Sequence, residues 1–235
     1  MAQSRFLRWS AVALVIAWLA VLLSVPMVRM EMIRPGLLMF AVGALLGLVM
    51  VLLMLALLLF PKFRALGAPY RNRLLCALPL AALFVVVMMG SSGVPPIHNI
   101  TTDTEDPPVF TRAPELRGPD ANPLELTSDV IAQQVAAYPD LATIMSPLPP
   151  AEAFAKAAQV AADLGWDIYH QSSETGTIEA VDTTFWMGFK DDVVIRLRPS
   201  TEGTEIDLRS VSRVGVSDVG ANANRIRQFT TAFGQ

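Results

Sequence analysis

The chain has 235 residues, 53% of them hydrophobic and only 17% charged, with a mean hydropathy of +0.45. That balance excludes an ordinary water-soluble globule, in which about a quarter of the residues are charged. The charge is also divided. Residues 1–90 hold eight Lys/Arg and a single acid, Glu31, whereas residues 91–235 hold ten Lys/Arg and twenty acids, so the net −3 is +7 in front and −10 behind. An apolar basic front before a polar acidic back predicts a membrane anchor carrying one water-soluble domain.

A helix needs roughly 20 apolar residues to cross the hydrocarbon layer. Three runs before residue 94 meet or approach that length. Ser10–Val28 gives nineteen uncharged residues and Leu37–Phe60 gives twenty-four. Leu74–Met89 is shorter, but the uncharged tail through Gly90, Ser91, Ser92, Gly93 and Val94 extends it, and Pro79 is expected to kink its first turns. The predicted anchor is therefore residues 1–93, with spans at about 10–28, 37–60 and 74–93.

Basic loops resist translocation, so the positions of Lys and Arg set the orientation. Arg5 and Arg8 precede the first span, and Lys62, Arg64, Arg71 and Arg73 fill the loop between the second and third. Both sites belong inside. After the third span no Lys or Arg occurs before Arg112. This predicts an integral protein of the inner (cytoplasmic) membrane with a cytoplasmic amino terminus and a periplasmic carboxyl-terminal domain. A cleaved signal peptide is the alternative for the first span, but nineteen apolar residues are long for one and no small-x-small site follows before Arg29. Gly43 and Gly47 form a G-x-x-x-G in the second span, which suits close helix packing within this bundle or, as the alternative, a dimer. No Asp, Glu, His, Lys or Arg interrupts a predicted span, so ion pathways lack their usual chemistry. The sole cysteine, Cys76, is in the third span, leaving no disulfide, thiolate nucleophile or cysteine-bound zinc for the exported half.

Residues 94–127, rich in Pro, Thr and Asp, read as an extended arm. A domain over 128–235 follows. A helix is predicted over Ser128–Tyr138, capped by Thr127 or Ser128, and a stronger one over Pro150–Leu164, ended by Gly165. Four strands come next, at Trp166–Gln171, Thr177–Met187, Val193–Pro199 and Thr204–Arg213, with turn residues in each gap. If Pro199 lies opposite Thr204, Arg198 faces Glu205 and Arg196 faces Asp207. A helix over Asp218–Phe233 completes the chain. The predicted fold class is a three-helix transmembrane anchor plus an α+β domain of helix, four-stranded antiparallel meander and helix.

The segments Pro96–Asp103 (Pro-Ile-His-Asn-Ile-Thr-Thr-Asp), Ala137–Leu141, Glu179–Val193 and Arg209–Asn222, together with Arg225 and Ile226, resemble the bacterial domain-of-unknown-function family 1499. The resemblance runs from about Pro95 to Phe233 and leaves the membrane half outside it. It implies an exported, membrane-associated domain and no established activity. Many members carry a cysteine-bearing front segment, which this chain lacks.

The strand-to-helix turn with Arg213, Gly215, Ser217, Asp218, Gly220, Asn222 and Arg225 is a candidate anion or ligand site, because helix amides, permissive glycines and two arginines gather there. The competing structural reading makes Ser217 and Asp218 caps and the glycines turn residues. Gly215-x-Ser217 also resembles a nucleophile elbow, but the second glycine comes one position late. In the arm, His98, Asp103, Glu105 and Asp106 are weak metal candidates without the spacing of a calcium loop; no metal or other cofactor is expected. Phe185, Trp186, Met187 and Phe189 form an aromatic cluster at a hairpin tip, read as core packing or as a patch meeting lipid or a partner. The −10 charge and export argue against nucleic acid. The leading expectation is a non-enzymatic envelope module that sits in the lipid bilayer and binds an envelope protein or amphiphile; the alternative is an enzyme acting on an anionic envelope metabolite at the Arg213–Arg225 turn.

Overall fold

An uncharged run rich in Leu, Val, Ala and Met can cross lipid only as a helix, because every backbone polar group must then be satisfied within the segment. The computed structural model, which describes residues 2–90 and 93–235, has three such helices. They are α1 (Ala2–Arg29), α2 (Ile33–Leu57) and α4 (Ala68–Gly90), with a single turn, α3 (Pro61–Arg64), between the last two. Candidate spans within them are Arg5–Arg29, Ile33–Leu57 and Ala68–Met89. α1 and α4 begin well before the apolar runs of the sequence, since Arg5, Arg8, Arg71 and Arg73 end a hydrocarbon-compatible stretch without ending a helix. Of the expected end of the third span, Ser91 and Ser92 lie outside the described residues. The chain divides into two compact units, residues 1–92 and, apart from the hairpin tip 186–188, residues 93–235.

Small residues let the helices of the first unit approach closely. A Cβ on Gly43 would stand 2.7 Å from the Ala17 carbonyl oxygen of α1, and one on Gly47 would overlap Leu80 Cβ of α4. The G-x-x-x-G thus serves packing inside this chain. Leu14, Ala17, Val21, Met54, Ala77 and Leu80 are buried between the helices, while Val15, Leu19, Leu22, Leu52 and Val86 face outward, as spanning helices require. At the end of α2 the Arg64 guanidinium donates to the carbonyls of Leu58 (2.6 Å) and Leu59 (3.2 Å), which the helix leaves without amide partners.

The second unit is built on an antiparallel sheet of six strands, where the sequence predicted four. The strands are β1 (Asn99–Thr101), β2 (Ile144–Ser146), β3 (Asp167–Ser172), β4 (Thr177–Thr183), β5 (Lys190–Ser200) and β6 (Gly203–Ser212). The meander β3–β6 is present. β1 and β2 add to it, each pairing with a different part of β6. Both are three-residue strands inside proline-rich stretches, too short to show alternation, and they form because β6 offers an edge. The β5–β6 register places Arg196 opposite Asp207, Arg198 opposite Glu205 and Pro199 opposite Thr204, as expected.

Four helices accompany the sheet: α5 (Ala113–Leu116), α6 (Ser128–Ala137), α7 (Pro150–Asp163) and α8 (Ala221–Phe233). The Thr127 hydroxyl caps α6 by accepting from the Val130 N–H. Leu164 and Gly165, the latter at φ 82°, close α7. Strand alternation sends Ile178, Ala180, Val193, Ile195, Leu197, Ile206 and Leu208 to one face, where α7 and α8 cover them with Ala153, Ala157, Ala161, Ile226, Phe229 and Phe233. Trp166 and Phe229 stack in this core, ring centroids 5.7 Å apart.

Candidate functional site

The opposite sheet face alternates charge where the core face alternates apolar side chains. It carries Glu179, Asp192, Arg196, Arg198, Asp207 and Arg209, and residues 102–127 run across it. Phe110, Ala113 and Leu124 of this segment make a small apolar cluster with Val194, Val211 and Tyr169. The charged groups close on one another and on this covering segment.

Asp192, fully buried, accepts from Arg117 Nη1 at 2.5 Å and from Arg213 Nε and Nη2 at 2.9 and 2.7 Å. Asp207, equally buried, meets Arg196 (3.2 Å) and Arg198 (3.0 Å) and accepts from the hydroxyls of Thr102 and Thr143. Glu179 Oε1 and Oε2 accept from the N–H groups of Thr111, Arg112 and Ala113 at 2.7–3.1 Å, at the start of α5. Burial alone would raise the pKa of Glu179, but the Thr111 hydroxyl and these amides outweigh it and hold the carboxyl below the usual range. Arg209 lies over the Phe110 ring and donates to Asn99 Oδ1 and the Pro108 carbonyl. Burial, with Arg117 nearby, pushes its pKa down to about 10.

The Arg213–Arg225 turn can be placed residue by residue. Gly215 and Gly220 adopt φ 93° and 82°, and Val219 between them adopts φ 55°. Asp218 Oδ1 accepts from the Gly220 N–H (2.7 Å) and Oδ2 from the Asn222 N–H (2.9 Å), so a carboxylate of the chain itself occupies the start of α8. Burial raises the Asp218 pKa despite those two amides. Ser217 Oγ accepts from the Val219 N–H at 3.2 Å. Asn222, fully buried, donates from Nδ2 to the His98 carbonyl and Ser212 Oγ, and its Oδ1 accepts from Ser210 Oγ and Arg225 Nη1. Arg225 meets Asp191 at 2.6 Å and Asp182 at 2.7 Å.

Asp218, Gly220, Asn222 and Arg225 therefore belong to one network, but Arg213 does not join it. Asp191 and Asp192 are consecutive in β5 and project to opposite faces, each taking one of the two arginines. Beside the turn, the Tyr138 hydroxyl is buried with no hydrogen-bond partner among the described residues.

Of the arm residues, the fold keeps Asp103, Glu105 and Asp106 together and sets His98 apart, beside the turn after β6. Asp103 and Asp106 pair with Arg196 and Arg198, the Glu105 N–H donates to Asp103 Oδ1, and His98 Nδ1 lies 3.4 Å from the Val216 carbonyl oxygen. Among the described residues no group of three or more His, Cys, Asp or Glu is placed to hold a metal ion.

Sequence reasoning missed the interior charges Glu179, Asp191, Asp192, Asp207 and Arg209. The adjacent Asp191 and Asp192 read as a turn before Val193, although two acids leading directly into an alternating run are also what a strand with a charge on each face looks like.

Of the eight exposed large apolar side chains in residues 93–235, four gather at one end of the sheet, the others being Val109, Leu116, Val135 and Met145. At the β4–β5 hairpin, the Thr184 N–H donates to the Phe189 carbonyl and the Phe189 N–H donates to Thr184 Oγ1, around a four-residue tip. Phe185 there is 96% exposed and Trp186 48%. At the same end, the turn after β6 exposes Val216 (76%) and Val219 (48%).

Three helices fit to cross a membrane, followed by an antiparallel sheet domain with helices on one face, define a membrane protein with a single extramembrane α+β domain. The chain belongs to the family described as protein of unknown function DUF1499, whose model matches residues 99–233. No curated protein matches it.

Proposed function

We propose that this protein is a non-enzymatic envelope module: an inner-membrane anchor, amino terminus in the cytoplasm, presenting an exported domain that binds a partner protein or an amphiphile close to the membrane. One observation carries the reading. The domain's ionisable interior is committed to internal pairs and hydrogen bonds, while one end of its sheet exposes Phe185, Trp186, Val216 and Val219. Surfaces of that kind mark association rather than chemistry. The alternative of an anionic-metabolite enzyme at the Arg213–Arg225 turn draws less support, since Asp218 fills the start of α8 and the two arginines face opposite sides of the sheet. The orientation is supported by the basic residues Arg5, Arg8, Lys62, Arg64, Arg71 and Arg73.

The test is purification of the full chain from native membranes, with retained proteins and lipids identified by mass spectrometry, beside a chain carrying Phe185→Ser and Val216→Ser. The expected result is loss of specific retained species with the fold unchanged. Retention of the same set by both chains would refute the reading.

A further inference from the structure

We infer that the sheet end bearing Phe185, Trp186, Val216 and Val219 enters the interfacial layer of the lipid bilayer. The inference rests on the interaction reading above and names the lipid surface as the partner. Its first support is topological. Residues 185–186 and 216–219 are remote in sequence, but the pairing of Asp191 with Ser212 and the Arg213 N–H bond to the Lys190 carbonyl (3.0 Å) bring their loops to one end. The chain enters the domain at that same end. Asn99 pairs with Val211, the Ser212 N–H donates to the His98 carbonyl and the Asp218 N–H to the Ile97 carbonyl.

Chain length then limits the distance. α4, a candidate span, ends at Gly90, and Ile97 is already buried in the domain core. The residues between them reach at most roughly 25 Å when fully extended. The other end of the sheet, at Thr201 and Glu202, lies about 30 Å further along β6. The apolar end is thus the end at which the tether joins the domain.

The side chains at that end suit the interface. Tryptophan and phenylalanine are the side chains that settle at the boundary between headgroups and hydrocarbon. Val219 holds a β-branched side chain at φ 55°, a backbone state that is costly for such a residue and that tends to persist where a surface has a use. Charge cannot drive the contact, because residues 91–235 carry −10 and anionic lipids repel them. Four apolar side chains are few for a free domain to bind lipid, but a tether of this length supplies the high local concentration that makes a weak contact persistent. The contact is therefore expected to withstand salt.

The experiment uses the full chain with Cys76→Ala, carrying one nitroxide at Phe185→Cys, Val216→Cys or, as the far-end control, Glu202→Cys. Each is reconstituted in vesicles of phosphatidylethanolamine and phosphatidylglycerol, and spin-label relaxation by oxygen and by a water-soluble nickel chelate is measured. The expected result is a several-fold higher oxygen-to-nickel ratio at 185 and 216 than at 202, unchanged in high salt. Nickel access at 185 and 216 equal to that at 202 would overturn the inference and remove the rim as an interaction surface. Shielding from both reagents would overturn the lipid assignment alone and leave a protein partner as the occupant.

Discussion

Replacing Asp192 by Asn keeps the shape of the side chain and removes the charge shared by Arg117 and Arg213. Asp192 is fully buried, and the side chains of Arg117 and Arg213 are only 5% and 13% exposed. Two guanidinium groups would then lose the carboxylate they share, out of reach of most solvent. Breaking a buried pair in this way costs about 3–5 kcal/mol, because the surviving charge keeps its desolvation penalty and loses its compensation. That is a large part of the roughly 5–15 kcal/mol that holds a domain folded. The exposed pair of Arg112 and Glu115 at 3.4 Å is the control, and Glu115→Gln should change stability by less than about 0.5 kcal/mol. Urea unfolding of the full chain in detergent micelles, followed through Trp166 fluorescence, measures both. Adding Arg213→Met to Asp192→Asn should restore part of the loss, since one of the stranded cations is removed. A loss below about 1 kcal/mol for Asp192→Asn would show that the covered sheet face is not held by this pairing, and the reasoning would fail.

Glu179 is ionised more readily in the folded chain than in the unfolded one, so its contribution is complete above the ordinary glutamate value of about 4.3 and is lost as pH falls through the lowered folded value. Glu179→Gln should cost about 2 kcal/mol at neutral pH and give a flatter acid limb in stability measured against pH; an unchanged limb would count against it. Gly47→Val forces a side chain into Leu80 and should lower the detergent thermal stability of the helical anchor by about 1–3 kcal/mol, which differential scanning fluorimetry would detect. Tyr138→Phe removes a buried hydroxyl that has no hydrogen-bond partner among the described residues and should leave the urea midpoint unchanged or slightly raised.

The sequence was most legible where one periodicity decided the outcome. Uncharged runs of sufficient length gave the helices of the anchor, and the alternation of Val193, Ile195 and Leu197 with Arg196 and Arg198 gave both the hairpin and its register. It was least legible where the fold depends on partners distant in the chain. Asn99–Thr101 and Ile144–Ser146 become strands only because β6 is there to pair with them. The arm sequence reads as a solvated acidic stretch, yet Asp103, Thr111 and Arg117 find their partners in β4 and β5, up to 95 positions away in the hydrogen bonds of Asp103. At the Arg213–Arg225 turn the local motif was visible, but not that Asp191 and Asp192 would draw its two arginines to opposite faces. The apolar rim was half visible: the Phe185–Phe189 cluster stands out in the sequence, whereas Val216 and Val219 join it only through the pairing of β5 with β6.

The central claim is that this domain works through contact at its apolar rim. Photo-crosslinking in intact cells tests it most directly, with a benzophenone side chain placed at Phe185, at Val216 or at the far-end residue Glu202 of the full chain. Covalent adducts at 185 and 216, with none at 202, are the expected result. Adducts of equal yield at all three positions, or at none, would contradict it.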